Sequence, residues 1–549
     1  MNAMKKVLII GSGIAGLSCA IHCAERNMEV TLVSPFPSER SQSVLAAGGI
    51  NAVTDSHEAG DSIESHIRDT LSGGCGIAGE NAVRGLCESA PEIIAWLKKL
   101  GTVFTTESDG SVSRRAFGGQ SYKRTCYCGA STGKQIVTAL VMEARRYEGL
   151  GRIKRRLWMD FYSALIRDGV CRGAVFYNEA TGQPEAIPAD SVVIATGGQN
   201  ALFGKTTGST QCDGYAAGKL FTQGVALKNL EFIQYHPTTI ETGQKRMLIS
   251  EAVRGEGGRL YYEDEQSGSR VWFMEEKFGQ RGNLMPRDIV SRCMEETGKD
   301  IFLDITFLGK EKILKKLPEV YDLCKKYRGI DISKQSIPVS PSVHFFMGGI
   351  AVKNNHETNI RNLYAIGECA SIYHGANRLG GNSLLAAIYG GKVAAASIEK
   401  SERDCAKFDF SAEVREAADK LRSLKGSQSP YPVKYIRDML AETMRENLGI
   451  VRSAERLQKG IDDVSFYLSV ADKIHYDRSE LPYFGYSLSA ILTLARATLI
   501  CAQSREESRG AHFRSDYPTA KDNKKAATII TYGNGSYQTY LDTEGKYEN

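Results

Sequence analysis

Residues 5–34, KKVLIIGSGIAGLSCAIHCAERNMEVTLVS, open on an apolar run, pass a glycine-spaced turn, continue with apolar residues at helical spacing and close on a second apolar run near Ser34. That pattern predicts a strand, a turn, an amphipathic helix and a second strand, which together make a βαβ unit. Two later segments repeat the step from apolar strand to glycine. DSVVIATGGQN (190–200) ends in Thr196-Gly197-Gly198, and NLYAIGECA (362–370) reaches Gly367-Glu368. Three such segments spread along the chain predict one discontinuous α/β domain, which the chain leaves after about residue 233 and re-enters near 342. Residues 405–518 read as successive helices with charged faces, and GKEKILKKLPE (309–319) as a solvated helix face. Past Pro518, the alternating stretches ATIITY and SYQTYL flank Gly-Asn-Gly and read as a hairpin.

A length of 549 residues exceeds one ordinary domain. The 69 basic and 64 acidic residues leave a net charge of +5, too small a field to argue for nucleic acid. The 13 cysteines are scattered, and the close pair Cys126 and Cys128 has neither zinc nor iron–sulfur spacing. No metal site is expected, and any iron–sulfur relay must come from another polypeptide. Reduced thiols point to the cytoplasm. The basic, then apolar N-terminal region resembles a secretory signal, but its glycines argue against one. With no apolar run of 18 or more in view, direct membrane insertion is not expected, and the inner face of a membrane is reached only through a partner.

Within the first turn, Gly11 suits the tight bend, Gly13 lets backbone approach a pyrophosphate, and Gly16 permits close helix–strand packing, with the helix N-terminus facing the phosphates. The second strand ends in Ser34-Pro35, where the dinucleotide fingerprint has an acidic residue for the ribose; a serine hydroxyl is the substitute hydrogen-bonding group.

Eight ordered segments carry a resemblance: SVLAAGGINAV, FGGQSYKRT, EFIQYHPTTI, SEAVRGEGGRL, MPRDIVSR, HFFMGGI, HGANRLGGNSLL and ESRGAHFRSDYP. From about Lys5 to Pro518 the chain resembles the flavoprotein subunits of fumarate reductase and succinate dehydrogenase, and their relative L-aspartate oxidase. The resemblance implies an α/β fold: a discontinuous Rossmann-like FAD-binding domain (1–233 and 342–404) with an inserted α+β capping domain (234–341). A C-terminal helical domain (405–520) and a tail (521–549) follow. The implied cofactor is FAD. Its implied contacts, with the three turn glycines, are Ser12, Ile14 and Ala15, then Ser34, then Gln42, Ser43, Ala46, Ala47, Gly48 and Gly49. Thr196, Gly197, Asp213, Glu368, Ser383 and Leu384 complete them. Gln42 stands where the membrane-linked enzymes carry the histidine bonded to flavin, so FAD is expected to be non-covalent.

The implied substrate is a C4-dicarboxylate, held by His236, Ser250, His344 and Arg378, with Phe117 and Gln120 from the dicarboxylate branch. Arg287 matches the proton-transferring arginine, and Glu251 with Arg254 the relay to water. The implied activity interconverts fumarate and succinate, with an iron–sulfur subunit or other electron donor as partner.

The loop RRAFGGQS (114–121) bears on the choice of substrate. Arg114 and Arg115 would draw a carboxylate, and an ammonium group would meet no counter-charge there. L-aspartate oxidases carry Glu where this chain has Phe117, which argues against aspartate. Yet residues 61–83, SEAVRGEGG and Gln42 look more like that branch. Oxidation of aspartate to iminoaspartate, in NAD biosynthesis, therefore stands as the alternative, and reduction of another unsaturated acid as a second. Arg509 and His512, in ESRGAHFRSDYP, either contact the flavin domain or brace the helical one.

Overall fold

The computed structural model describes residues 4–54, 58–129, 131–243, 245–402, 408–425, 431–475 and 482–547. The expected boundary at 404/405 lies outside them. At the centre is a five-stranded parallel sheet in the order Leu363–Ala365, Ser191–Ile194, Lys6–Ile10, Glu29–Ser34, Ile153–Leu157. Its inner strands are apolar on both faces, as buried parallel strands must be. Helix Ile14–Glu25 covers the sheet and packs against helix Asn382–Lys400, a partner nearly 370 residues away in sequence.

The first turn follows the glycine reading closely. Gly11 has φ +109°, and a Cβ there would lie 2.2 Å from the Ala195 carbonyl oxygen; a Cβ on Gly16 would lie 1.9 Å from the Gly11 oxygen. Neither position admits a side chain.

A second core gathers around a six-stranded antiparallel sheet, ordered Arg246–Leu248, Ile233–Glu241, Ile337–Phe346, Ile301–Asp304, Arg259–Glu263, Arg270–Val271. Of its two longest strands, Ile233–Glu241 begins and Ile337–Phe346 ends in the core of the parallel sheet, while Ile240, Ile337 and Val339 lie in the second core, so each strand belongs to both. Their pairing shifts register between Gln234 and Tyr235 and again between His236 and Thr239. Such bulges re-aim side chains, and here they fall at the histidines of interest.

Helices Val433–Asn447, Ala454–Val470 and Pro482–Ser504 pack together near the C-terminus. The last is long and apolar enough by length and composition to cross a bilayer, a feature the sequence reading passed over; 78% of its most apolar window is buried inside the fold. Strands Ala527–Gly533 and Ser536–Asp542 form a hairpin. Far from hanging free, its first strand pairs with Leu227–Lys228 and extends a sheet that also contains Gly349–Ala351 and Ala370–Ser371.

Candidate active site

One cavity of about 640 Å³ runs from the first glycine turn to the junction of the two cores. The turn supplies Gly11, Ser12, Gly13, Ile14 and Ala15, and beyond it lie Ser34, Gln42, Ser43, Ala46, Ala47, Gly48 and Gly49. Thr196, Gly197, Asp213, Glu368, Ser383 and Leu384 also line it. Gly16 sits beneath the turn and packs instead. Ser12 donates to Ser34 Oγ at 2.9 Å, and Ser34 donates to the Phe36 carbonyl at 2.5 Å. Ser34 therefore keeps one lone pair for a ligand hydroxyl. Gln42 accepts the Ser209 N–H at 2.6 Å. Asp213 accepts from Tyr483 Oη at 2.8 Å and from Tyr215 N–H at 3.0 Å; burial raises its pKa against the pull of Arg437. Burial likewise pushes Glu368 up to about 7.

At the far end, His236, Ser250, Glu251, Arg287, His344, Arg378 and Phe117 all line the same cavity. His236 Nδ1 lies 3.2 Å from both the Thr238 N–H and the Thr238 carbonyl oxygen, and its buried Nε2 has no partner among the described residues. The His344 ring stands edge-on to His236 with centroids 5.2 Å apart, its Nδ1 2.8 Å from Thr207 Oγ1. Burial, then the nearby Arg287, pushes both imidazoles well below their usual range, so both are neutral. Ser250 Oγ accepts the Ala252 N–H at 3.3 Å.

Arg378 lies with its guanidinium 4.2 Å from the Phe345 ring centre. It donates to the neutral Gln234 amide at 2.9 Å, and its buried Nε has no partner among the described residues. Burial, reinforced by Arg287, lowers it to about 9. A buried cation in that state wants an anion.

Glu251 joins the two arginines expected to move protons. Arg287 donates to its Oε2 from Nε at 2.9 Å and from Nη2 at 2.6 Å, while Arg254 donates to Oε1 at 3.0 Å. Burial pushes this carboxyl up, but the two guanidiniums outweigh it and hold it at about 2. Arg254 lies behind Glu251, outside the cavity lining, and also donates to the Asn283 carbonyl.

Two sequence expectations change here. Gln120 does not line the cavity. Its amide donates to Asn51 Oδ1, Thr125 Oγ1 and the Gly380 carbonyl, and its oxygen accepts the Phe117 N–H, so it shapes the loop that presents Phe117. Arg114 and Arg115 do not line it either: they form a short strand paired with Thr125–Cys126, and Arg115 stacks over Tyr127 at 3.7 Å. The loop instead contributes the Gly118 N–H, which donates to Glu251 Oε1 at 3.1 Å. As for Arg509 and His512, neither lines the cavity. Of the two alternatives open for them, Arg509 takes the contact with the expected flavin-domain part, donating to the Cys75 carbonyl as well as to Glu507, and His512 braces the helical part, its Nδ1 accepting from Arg452.

The sequence reading also missed Gln234, Thr207 and His374. Gln234 was within reach of it, lying two residues before His236 on one strand, where side chains tend to share a face.

An FAD binding domain family matches residues 6–384, and a fumarate reductase flavoprotein C-terminal family matches 437–545. The chain belongs to the fumarate reductase/succinate dehydrogenase flavoprotein family. Within that family it is 37% identical to the succinate dehydrogenase flavoprotein subunit of Bacillus subtilis, over 96% of this chain and 94% of that one. Among solved structures, a quinol–fumarate reductase with menaquinol matches at TM-score 0.91 and 30% identity, covering 98% of this chain and 97% of the other. A quinol fumarate reductase of E. coli matches at 0.88 and 29%, covering 98% and 96%. The protein is thus a flavoprotein oxidoreductase with FAD as its cofactor. The cavity fits that group: the glycine turn and Ser34 line one end, and the other end holds His236 Nε2 and Arg378 Nε, which have no partner among the described residues.

Proposed function

We propose that this chain interconverts fumarate and succinate in the cavity between its two cores. The observation that carries this reading is Arg378, a buried cation bonded to a neutral amide, whose Nε, like the Nε2 of His236 on the same cavity, has no partner among the described residues. A planar guanidinium grips one carboxylate and the neutral imidazoles donate to the other, which polarises the alkene between them. When bound, FAD supplies two-electron hydride transfer at N5. Arg287 delivers the proton to the other alkene carbon, and Glu251 with Arg254 restores it; succinate oxidation runs the same steps in reverse. Closure of the 234–341 cap brings Arg287 over the substrate and excludes water.

FAD is held without a covalent bond, because an amide at Gln42 cannot form one. Electrons come from an iron–sulfur subunit or another donor; that the Bacillus subtilis relative is named a subunit supports a partner. Against aspartate stands Phe117, a buried ring where an ammonium would need a carboxylate. Glu251 is already committed on both oxygens.

The test is turnover of fumarate and succinate with artificial electron carriers, anaerobically, and of L-aspartate with oxygen. Turnover of the two dicarboxylates with little oxidation of aspartate supports the reading. Efficient aspartate oxidation, or reduction only of some other unsaturated acid, overturns it.

A further inference from the structure

We propose that Gln234 is a positioning residue that ties the proton-donating arginine to the carboxylate-gripping arginine and fixes how both face the substrate. This rests on the fumarate/succinate reading above. Gln234 is fully buried at the start of strand Ile233–Glu241. Its Nε2 donates to Asn377 Oδ1 at 2.7 Å and to the Arg378 carbonyl at 2.8 Å. Its Oε1 accepts from Arg287 Nη1 at 3.0 Å and from Arg378 Nη2 at 2.9 Å.

This orientation is the sole one the neighbours allow. Rotating the amide would set its two N–H bonds against two guanidinium donors and its oxygen against two oxygens. Arg287 is then engaged at all three nitrogens, Nε and Nη2 by Glu251 and Nη1 by Gln234, so its plane has one direction. Asn377 closes the circuit by donating to Asp288 Oδ1 at 2.7 Å. Asp288 stands in the first turn of the helix that begins with Arg287. The circuit therefore binds that helix to the loop carrying Arg378.

The choice of an amide has a chemical reason. Two guanidiniums repel, and a neutral acceptor eases that repulsion while leaving both charges in place. A carboxylate at the same point would pair with both, blunting the grip on substrate and making Arg287 slower to release its proton.

The experiment compares the unmutated holoprotein with Gln234→Met, which keeps length and loses the acceptor, and Gln234→Glu. Flavin content, melting temperature, and kcat and KM for fumarate are measured across pH. For Gln234→Met, flavin content is expected to hold while kcat falls roughly ten- to hundredfold, the range for losing hydrogen bonds to charged groups. For Gln234→Glu, the alkaline limb of the kcat profile is expected to move to higher pH, because the added carboxylate stabilises the protonated arginines. A Gln234→Met enzyme with kcat and KM within about twofold of the parent overturns the proposal and leaves the dicarboxylate reading standing. If Gln234→Met loses its flavin, an unmoved alkaline limb in Gln234→Glu overturns the proposal. An unmutated protein inactive on both fumarate and succinate overturns the parent reading, and this one with it.

Discussion

Replacing Phe117 by glutamate tests the substrate choice at the point where the two enzyme branches part. The ring is 4% exposed, and the site is crowded: a Cβ on Gly48 would lie 3.2 Å from Phe117 Cε2. A Cβ on Gly380 would lie 3.2 Å from Phe117 Cβ and 3.3 Å from Glu251 Oε2, so the Phe117 side chain and the Glu251 carboxylate are near neighbours. A second carboxylate there would stand ~5 Å from the first. At an effective dielectric of ~20, two like charges at that distance repel by about 3 kcal/mol. A substrate carboxylate held in the same cavity at about that distance from the introduced charge meets a repulsion of the same size, a loss on the order of a hundredfold in dianion binding. The assay is anaerobic oxidation of a reduced viologen dye by fumarate, with flavin content measured on the same samples. Phe117→Glu is expected to keep its flavin, lose about a hundredfold in kcat/KM for fumarate, and bind L-aspartate better than the parent does. Fumarate kinetics within about threefold of the parent, in a variant that retains flavin, would refute the reasoning, since no contact of that size would then exist.

Other consequences follow from the same contacts. Arg287→Gln keeps the hydrogen-bonding ability but cannot supply a proton, so fumarate reduction and succinate oxidation are both expected to fall by roughly 10²–10⁴-fold, checked by steady-state kinetics in each direction. Burial holds His66 and His356 near 4 and His374 near 3. Each is depressed on folding, so the stability it contributes is full above the unfolded value of about 6.5 and is lost as pH falls toward the folded one. By pH 5 each has cost ~2 kcal/mol, and thermal melts of the holoprotein should drop steadily from pH 7 to 5; a flat profile would count against these assignments. Acid precipitation should release the flavin into the supernatant, and colour remaining in the washed pellet would show that Gln42 does not prevent attachment.

Much of this is legible in the sequence alone, for local reasons. The three turn glycines, the apolar strands and the run of motif segments each depend on a few neighbouring residues, and the parallel sheet and cavity lining followed from them. What could not be read is set by contacts between distant parts of the chain. Arg115 was expected to attract substrate, yet Tyr127 offers it a ring and Gly129 a carbonyl, and nothing in RRAFGGQS reveals that. Gln120 was misassigned because its four partners come from residues 51, 117, 125 and 380. The Gly118 N–H escaped notice because backbone donors have no letter of their own. Gln234 acquires its meaning only when Arg287 and Arg378, 91 positions apart, arrive on either side of it.

The strand Ala527–Gly533 has a consequence for how the molecule is made. It is inserted beside Leu227–Lys228, and Thr528 donates to Glu231, whose other partner at the same oxygen is the buried Arg505. A ribosome emits that segment about 300 residues after Leu227–Lys228, so the nascent polypeptide must wait with an open sheet edge and a charged pair half built until Ala527–Gly533 has emerged. A product truncated before that strand would expose both defects, which gives quality-control proteases a direct way to recognise it.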